Sequence, residues 1–264
     1  MSQRWLAKEL TKGRKGLVGF WPLLLNAQDY SGYGSTAFAA GSSVIIASHS
    51  PPVSHIFGRP GFLATSGSAF GSPPTIPGKF LDLPYNKAWD FDYNQAFSIC
   101  GFVGNIDDPG DIEVFSHMTN GNNNGYRFRS ISNLQKLEFG IYASSSDSAT
   151  WSSTTRSITK GERFYHFGIA YDGKSTRNGG SGVLGTVTFF QDGVPLVPNL
   201  TVNNWDQGGS GSLQNSGDAA VANDYLSLTA TRYQGHYGMI RVFNRQLGVN
   251  EMSKLYANDL QAYQ

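Results

Sequence analysis

The chain has 264 residues, enough for one large domain or two small ones. Only 15% of them are charged, 13% are aromatic and 32 are glycine, which argues against disorder and against a helical bundle and suits short strands joined by many turns. The formal net charge of +1 leaves no basic footprint of the kind a general nucleic-acid partner requires.

Residues 1–15 are a basic lead in which Trp5, Leu6 and Leu10 share one face of a short helix. Two readings stand for it. One is a tail or helix packed on the domain edge. The other is an arm whose Arg4, Trp5, Lys8, Lys12, Arg14 and Lys15 dock on a partner. The expected boundary lies after residue 15, with one domain over 16–264. No apolar run follows the basic residues as in a secretory signal, which predicts synthesis without classical export. The longest apolar run is too short to cross a membrane.

The first strand is expected over 16–21, stopped by Pro22. Residues 41–78 read as a long surface excursion rich in Gly, Pro and Ser, with one apolar run at Val44-Ile45-Ile46. Strands are expected next over 79–83 and 96–103. In 125–130, Tyr126 and Phe128 fall on one face and Arg127 and Arg129 on the other. Leu137, Phe139 and Ile141 alternate with Glu138 and Tyr142, and Tyr165, Phe167, Ile169 and Tyr171 alternate with His166, Gly168 and Ala170. This period of two marks half-buried strands. Further strands are expected at 185–191, 225–230 and 236–243. A helix near the end is capped by Asn250, with Met252, Leu255 and Tyr256 on one face. The fold class is therefore all-β: an antiparallel sandwich with one short C-terminal helix and an N-terminal helical arm.

Several segments, in order, resemble the laminin-G-like or concanavalin-A-like lectin/glucanase jelly roll. Gly16-Leu17-Val18-Gly19-Phe20-Trp21-Pro22-Leu23 is similar to the first strand of that group, and Asp29-Tyr30-Ser31-Gly32 to its Asp-x-Ser-Gly turn. Ala96-Phe97-Ser98-Ile99, then 164–173 ending in Tyr171-Asp172-Gly173, then 187–194 with Gln191-Asp192-Gly193, resemble its central strands and hairpin. Gly235 to Leu247 and Glu251-Met252-x-x-Leu255-Tyr256 resemble its closing strand and helix turn. Both Asp-Gly pairs suit tight hairpins, because glycine accepts positive φ. These motifs are structural and imply a fold before a function.

Glucanases of this superfold place acidic residues at alternate positions of one strand, since acid and nucleophile must face one cleft. The nearest match is Asp111 and Glu113, beside a turn-like Asp-Pro-Gly and without a third acid. The two-calcium set of pentraxins is missing, because Leu226 to Arg232 holds no carboxylate. A single calcium site on Asp29, or on Asp107 and Asp108, stays open. His49, His55, His117, His166 and His236 show no metal spacing. Cys100, the one cysteine, forms no internal disulfide and reads as a buried small hydrophobe.

Two stretches bring a Trp among polar neighbours: Ser148-Ala149-Thr150-Trp151 and Asn203-Asn204-Trp205-Asp206. Trp151 and Trp205 either stack on a sugar, with Asn204 and Asp206 binding its hydroxyls, or fold back over a sandwich edge. Residues 117–124 read as a binding loop or a hairpin tip. The expectation is a non-enzymatic structural or adhesion module of a virus particle, as phage capsid decoration, fibre or tail-associated protein. Its expected partners are other virion proteins and host surface glycan, with homo-oligomers possible. The alternative is a free carbohydrate-binding or glycan-cleaving protein.

Overall fold

A computed structural model describes residues 14–23, 28–34, 36, 38–40, 62–64, 80–106, 112–119, 124–131, 136–154, 161–207, 211–221 and 235–263. Fifteen described strands follow in chain order: β1 (Leu17–Trp21), β2 (Phe38–Ala40), β3 (Phe62–Ala64), β4 (Phe80–Leu83), β5 (Phe97–Ile106), β6 (Ile112–Met118), β7 (Gly125–Ile131), β8 (Lys136–Ser144), β9 (Asp147–Ser153), β10 (Gly161–Tyr171), β11 (Val187–Gln191), β12 (Val194–Leu196), β13 (Pro198–Asn203), β14 (Ala219–Val221) and β15 (Gly235–Phe243). A 3-10 turn spans Lys87–Trp89, and helix α1 covers Val249–Tyr263. The first sheet runs β1-β15-β5-β10-β11-β12, with β3 added on β15. The second runs β13-β9-β8-β7-β6-β14-β4-β2. The described strand pairs are antiparallel.

The two sheets pack face to face on the residues that alternation sends inward. Ile99, Val103, Tyr165, Phe167, Ile169 and Ile240 from the first meet Tyr126, Phe128, Leu137, Phe139 and Ile141 from the second. Aromatic pairs fill the layer, with Trp21 edge-on to Trp89 at 5.3 Å and Phe91 stacked on Phe97 at 4.6 Å. Tyrosine hydroxyls buried there each find an acceptor. Tyr237 of the first sheet donates to the Glu113 carbonyl of the second at 2.8 Å, and Tyr126 to the Trp89 carbonyl at 2.6 Å.

The outer face of the first sheet is apolar as well. Phe20, Cys100, Phe102, Phe164, Phe190, Met239 and Phe243 form a second buried cluster with Leu247, Met252 and Leu255, so α1 covers this face as a third layer. Gly168 leaves room for it, since a Cβ there would meet the Met252 side chain at 3.1 Å. Cys100 is buried as expected, and that burial pushes its thiol up to about 12.

Three local expectations are corrected. Asn250 lies inside the first turn of α1 and does not cap it. The Glu251 carboxylate accepts the Gly248 N–H at 3.0 Å instead, and its hydrogen bonds to Arg245 hold it down at about 2. Of the two Asp-Gly pairs, Asp192-Gly193 makes a tight hairpin, with φ of 53° and 73°. Asp172-Gly173 opens a long loop, 172–186, whose ends are tied when Asp172 accepts the Thr186 N–H at 2.9 Å. The stretch 148–151 lies in strand β9 where a loop was expected. The apolar run at 44–46 and the strand expected at 225–230 lie outside the described residues.

Candidate binding face on the second sheet

Burial overturns the sugar-stacking reading of the tryptophans. Trp151 is 5% exposed and points inward from β9, its ring stacked on Phe139 at 5.9 Å. Trp205 is 4% exposed, donates its indole N–H to the Thr176 carbonyl at 3.0 Å, and lies 4.7 Å beneath the Arg177 guanidinium. Asp206 is engaged too. Its Oδ2 accepts backbone N–H groups from Asn178, Gly180 and Gly182, which hold the carboxyl below the ordinary aspartate range. The Asp147 carboxylate pairs with Arg177 and accepts the Asp206 N–H at 2.8 Å. This cluster pins the 172–186 loop to the sandwich. Of the residues expected to bind sugar, Asn204 alone is exposed.

The other predicted sites divide. Asp29 is buried, and its Oδ1 accepts the N–H groups of Phe20 (3.0 Å) and Ser31 (2.8 Å) while Oδ2 accepts the Ser31 hydroxyl. It locks the turn after β1, which corrects its assignment to calcium. Asp107, Asp108 and Asp111 lie outside the described residues, as do Arg4, Trp5, Lys8 and Lys12. Among the described residues no group of three His, Cys, Asp or Glu side chains is placed to hold a metal. Arg14 is corrected as a docking residue: it sits 5.6 Å over Phe20 and 3.9 Å from Asp259, inside the fold. Lys15 is exposed.

The register of the second sheet assembles a site that no single segment displays. Side chains directly opposite one another in neighbouring strands share a face, about 5 Å apart. On the outer face one row reads Glu113, Arg129, Glu138, Ser152 and Asn199 across β6, β7, β8, β9 and β13. The next reads Ala220, Ser116, Arg127, Gly140 and Thr150, from β14 to β9. A third sets Tyr142 beside Ser148. Arg129 donates to Glu138 at 2.6 Å, and Arg127 stands 3.8 Å from the same carboxylate. The Arg127 guanidinium lies 5.3 Å from the Tyr142 ring centre.

Gly140 makes the arrangement possible. A Cβ there would fall 2.5 Å from the Tyr142 hydroxyl, so the phenol lies back over the bare glycine and meets Arg127 from the opposing strand. The guanidinium forks are thereby fixed by a ring and by carboxylates before any ligand arrives. Arg127 and Arg129 side chains remain 14% and 19% exposed, recessed but reachable. Glu113, Glu138, Ser148, Thr150 and Ser152 are themselves buried and Ser116 fully so, which leaves Arg127, Arg129, Tyr142 and Asn199 as the side chains of these rows that reach solvent. The alternation of Arg127/Arg129 and Glu138/Tyr142 in the sequence was the site's visible signal; Ser116 carried no strand signal of its own, and the β9 hydroxyls lay in a segment that reads as a loop.

No protein-family model matches the chain, and no curated protein does. Solved structures do match. The botulinum neurotoxin serotype C1 binding domain is 12% identical with a TM-score of 0.60, over 92% of this chain and 52% of that one. The binding domain of botulinum neurotoxin DC in complex with rat synaptotagmin II gives the same four values. A botulinum neurotoxin type C structure, described as showing cell entry dependent on interaction with two ganglioside molecules, is 11% identical with a TM-score of 0.58, over 98% and 53%. The chain thus spans about half the length of these structures. Likeness at this identity shows the fold: this chain is a jelly-roll β-sandwich of the kind found in those binding domains.

Proposed function

We propose that the chain is a non-enzymatic binding module, that it holds a glycan on the outer face of the second sheet, and that it does so within a virus particle. The observation that carries the glycan reading is the cross-strand set Arg127, Arg129 and Tyr142, two part-exposed guanidinium groups fixed by a phenol ring and by the buried Glu138 carboxylate on one face. The described carboxylates on this face stand beside arginines rather than across an open cleft, which favours recognition over hydrolysis. The fold is that of domains described as binding gangliosides or a protein receptor, which supports a binding role. For the particle, the support is compositional: few charges, many glycines and aromatics, and a single buried cysteine. Capsid decoration, a fibre or a tail-associated protein of a bacteriophage fits this, with residues 1–15 toward a neighbouring virion protein.

A glycan array probed with the intact chain, with and without calcium, tests the reading. Binding to one glycan class is expected to fall at least tenfold in Arg127→Ala. Loss on calcium removal would shift the site toward the segment holding Asp107 and Asp108. A blank array overturns glycan binding. Turnover of an arrayed glycan, abolished in Glu113→Gln, overturns the non-enzymatic reading. Absence of the chain from purified particles of its source overturns the virion assignment.

A further inference from the structure

The layer between α1 and the first sheet is apolar except at one place. There Arg241 of β15 grips the Asp259 carboxylate of α1 with both terminal nitrogens, Nη2 to Oδ1 at 2.6 Å, and Arg14 lies 3.9 Å from the same carboxylate. Arg241 stands 4.5 Å over the Phe20 ring. His166 of β10 shares this layer, fully buried, edge-on to Phe102 at 5.0 Å and 5.7 Å from Tyr256 of α1. Neither His166 ring nitrogen has a hydrogen-bond partner, nor do Arg14 Nη1 and Arg241 Nε. Two guanidinium groups thus face one carboxylate, and elsewhere in the layer the imidazole has no acceptor among the described residues.

The remaining ionisable groups around His166 come from each packed element. β15 brings Arg241, β5 brings Cys100 with its thiol kept protonated by burial, and α1 brings Tyr256 and Asp259. The β11–β12 hairpin turn brings Asp192, which accepts the His166 backbone N–H at 3.0 Å and so serves the backbone. The segment before β1 brings Arg14 to Asp259.

We propose that α1 is an acid-released latch: proton uptake at His166 detaches the helix from the first sheet and bares the Phe102, Phe190 and Met239 surface while the two-sheet core stays folded. A buried imidazolium repelled by Arg241 and without an acceptor has no solvation in the closed form, and lifting the helix that packs on it gives it water. The core between the sheets does not contain this imidazole, so it has no reason to open with the helix.

The pH window follows from the direction of the effect. Burial first, and then Arg241, hold the imidazole at about 3, against an ordinary 6.5. The closed form therefore binds fewer protons than the open form between those values. Its stability is complete above about pH 6.5 and falls as the pH drops through that point, the opening constant rising about tenfold per unit. Asp259 acts the other way: burial raises its carboxyl above 3.8 against the pull of Arg241 and Arg14, so its own proton uptake favours closure. The upper part of the histidine window, from about pH 6.5 to 5, is where the latch reads most cleanly.

Hydrogen exchange of the intact chain at about pH 7.5, 6 and 5, corrected for the intrinsic rate at each pH, tests this. The amides of α1 are expected to lose about tenfold protection from pH 6 to 5, while those of β5 and β10 keep theirs. His166→Phe and His166→Gln should flatten the slope. The latch is overturned if helix and strands lose protection together, if neither does, or if both variants keep the wild-type slope. Should the variants fail to fold, the contrast between α1 and the strands in the wild-type chain decides alone.

Discussion

Both sheets send aromatic and aliphatic residues inward, and they part company on their outer sides. The first sheet turns Phe20, Phe102, Phe164, Phe190 and Phe243 outward and needs α1 to hide them. The second turns Glu113, Arg127, Arg129, Glu138, Ser148, Thr150 and Ser152 outward in register. A buried ion pair appears on each side, in opposite settings. Arg241 and Asp259 are sealed in a dry contact with both side chains fully buried. Arg129 and Glu138 sit where water reaches a fifth of the arginine. A charge sealed in an apolar layer is compensated by the fold itself, whereas the arginines of the second face still meet water.

Removing one partner from each pair separates the two settings. Asp259→Ala leaves Arg241 and Arg14 buried with no carboxylate between them, and should cost about 3–5 kcal/mol. Urea unfolding monitored by tryptophan fluorescence measures it. A loss under about 1 kcal/mol would mean that water already enters beneath α1. Arg129→Ala on the other face should cost only about 1–2 kcal/mol, since water can rehydrate the carboxylates it leaves. Its larger effect is expected on glycan affinity, at least tenfold in a titration with the glycan found on the array. If stability falls as far as in Asp259→Ala, the second face is a structural layer and not a binding surface.

Much of this contrast was legible in the sequence. Strand period, the Asp192-Gly193 hairpin and the helix near the end give the sandwich and its order, because alternation is a local signal. The face a Trp takes is not local. Ser148-Ala149-Thr150-Trp151 reads as a loop, and the inward turn of Ala149 and Trp151 depends on pairing with β8 and β13. Asp206 looked like a sugar ligand because its three backbone donors lie more than twenty residues away, in the 172–186 loop. The rows of the second sheet were half legible: Arg127/Arg129 and Glu138/Tyr142 stand out strand by strand. That Glu113 falls beside Arg129 depends on a shift of register between Glu113 and Phe115, which no pattern in the sequence marks.

The smallest effect is expected at Ser116, and it tests how deep the polar face extends. Ser116 lies in the middle row between Ala220 and Arg127, is fully buried, and its hydroxyl has no hydrogen-bond partner. Removing an unsatisfied hydroxyl from this buried position beneath the face relieves a desolvation cost, and the cavity left by one oxygen is slight. Ser116→Ala should therefore change stability by no more than about 0.5 kcal/mol, toward stabilisation, and leave glycan affinity unchanged. A loss of about 1 kcal/mol or more would show that an ordered water joins the hydroxyl to the face. A matching loss of affinity would place that water in the binding site, moving its floor one strand nearer to β14 than the arginines alone define.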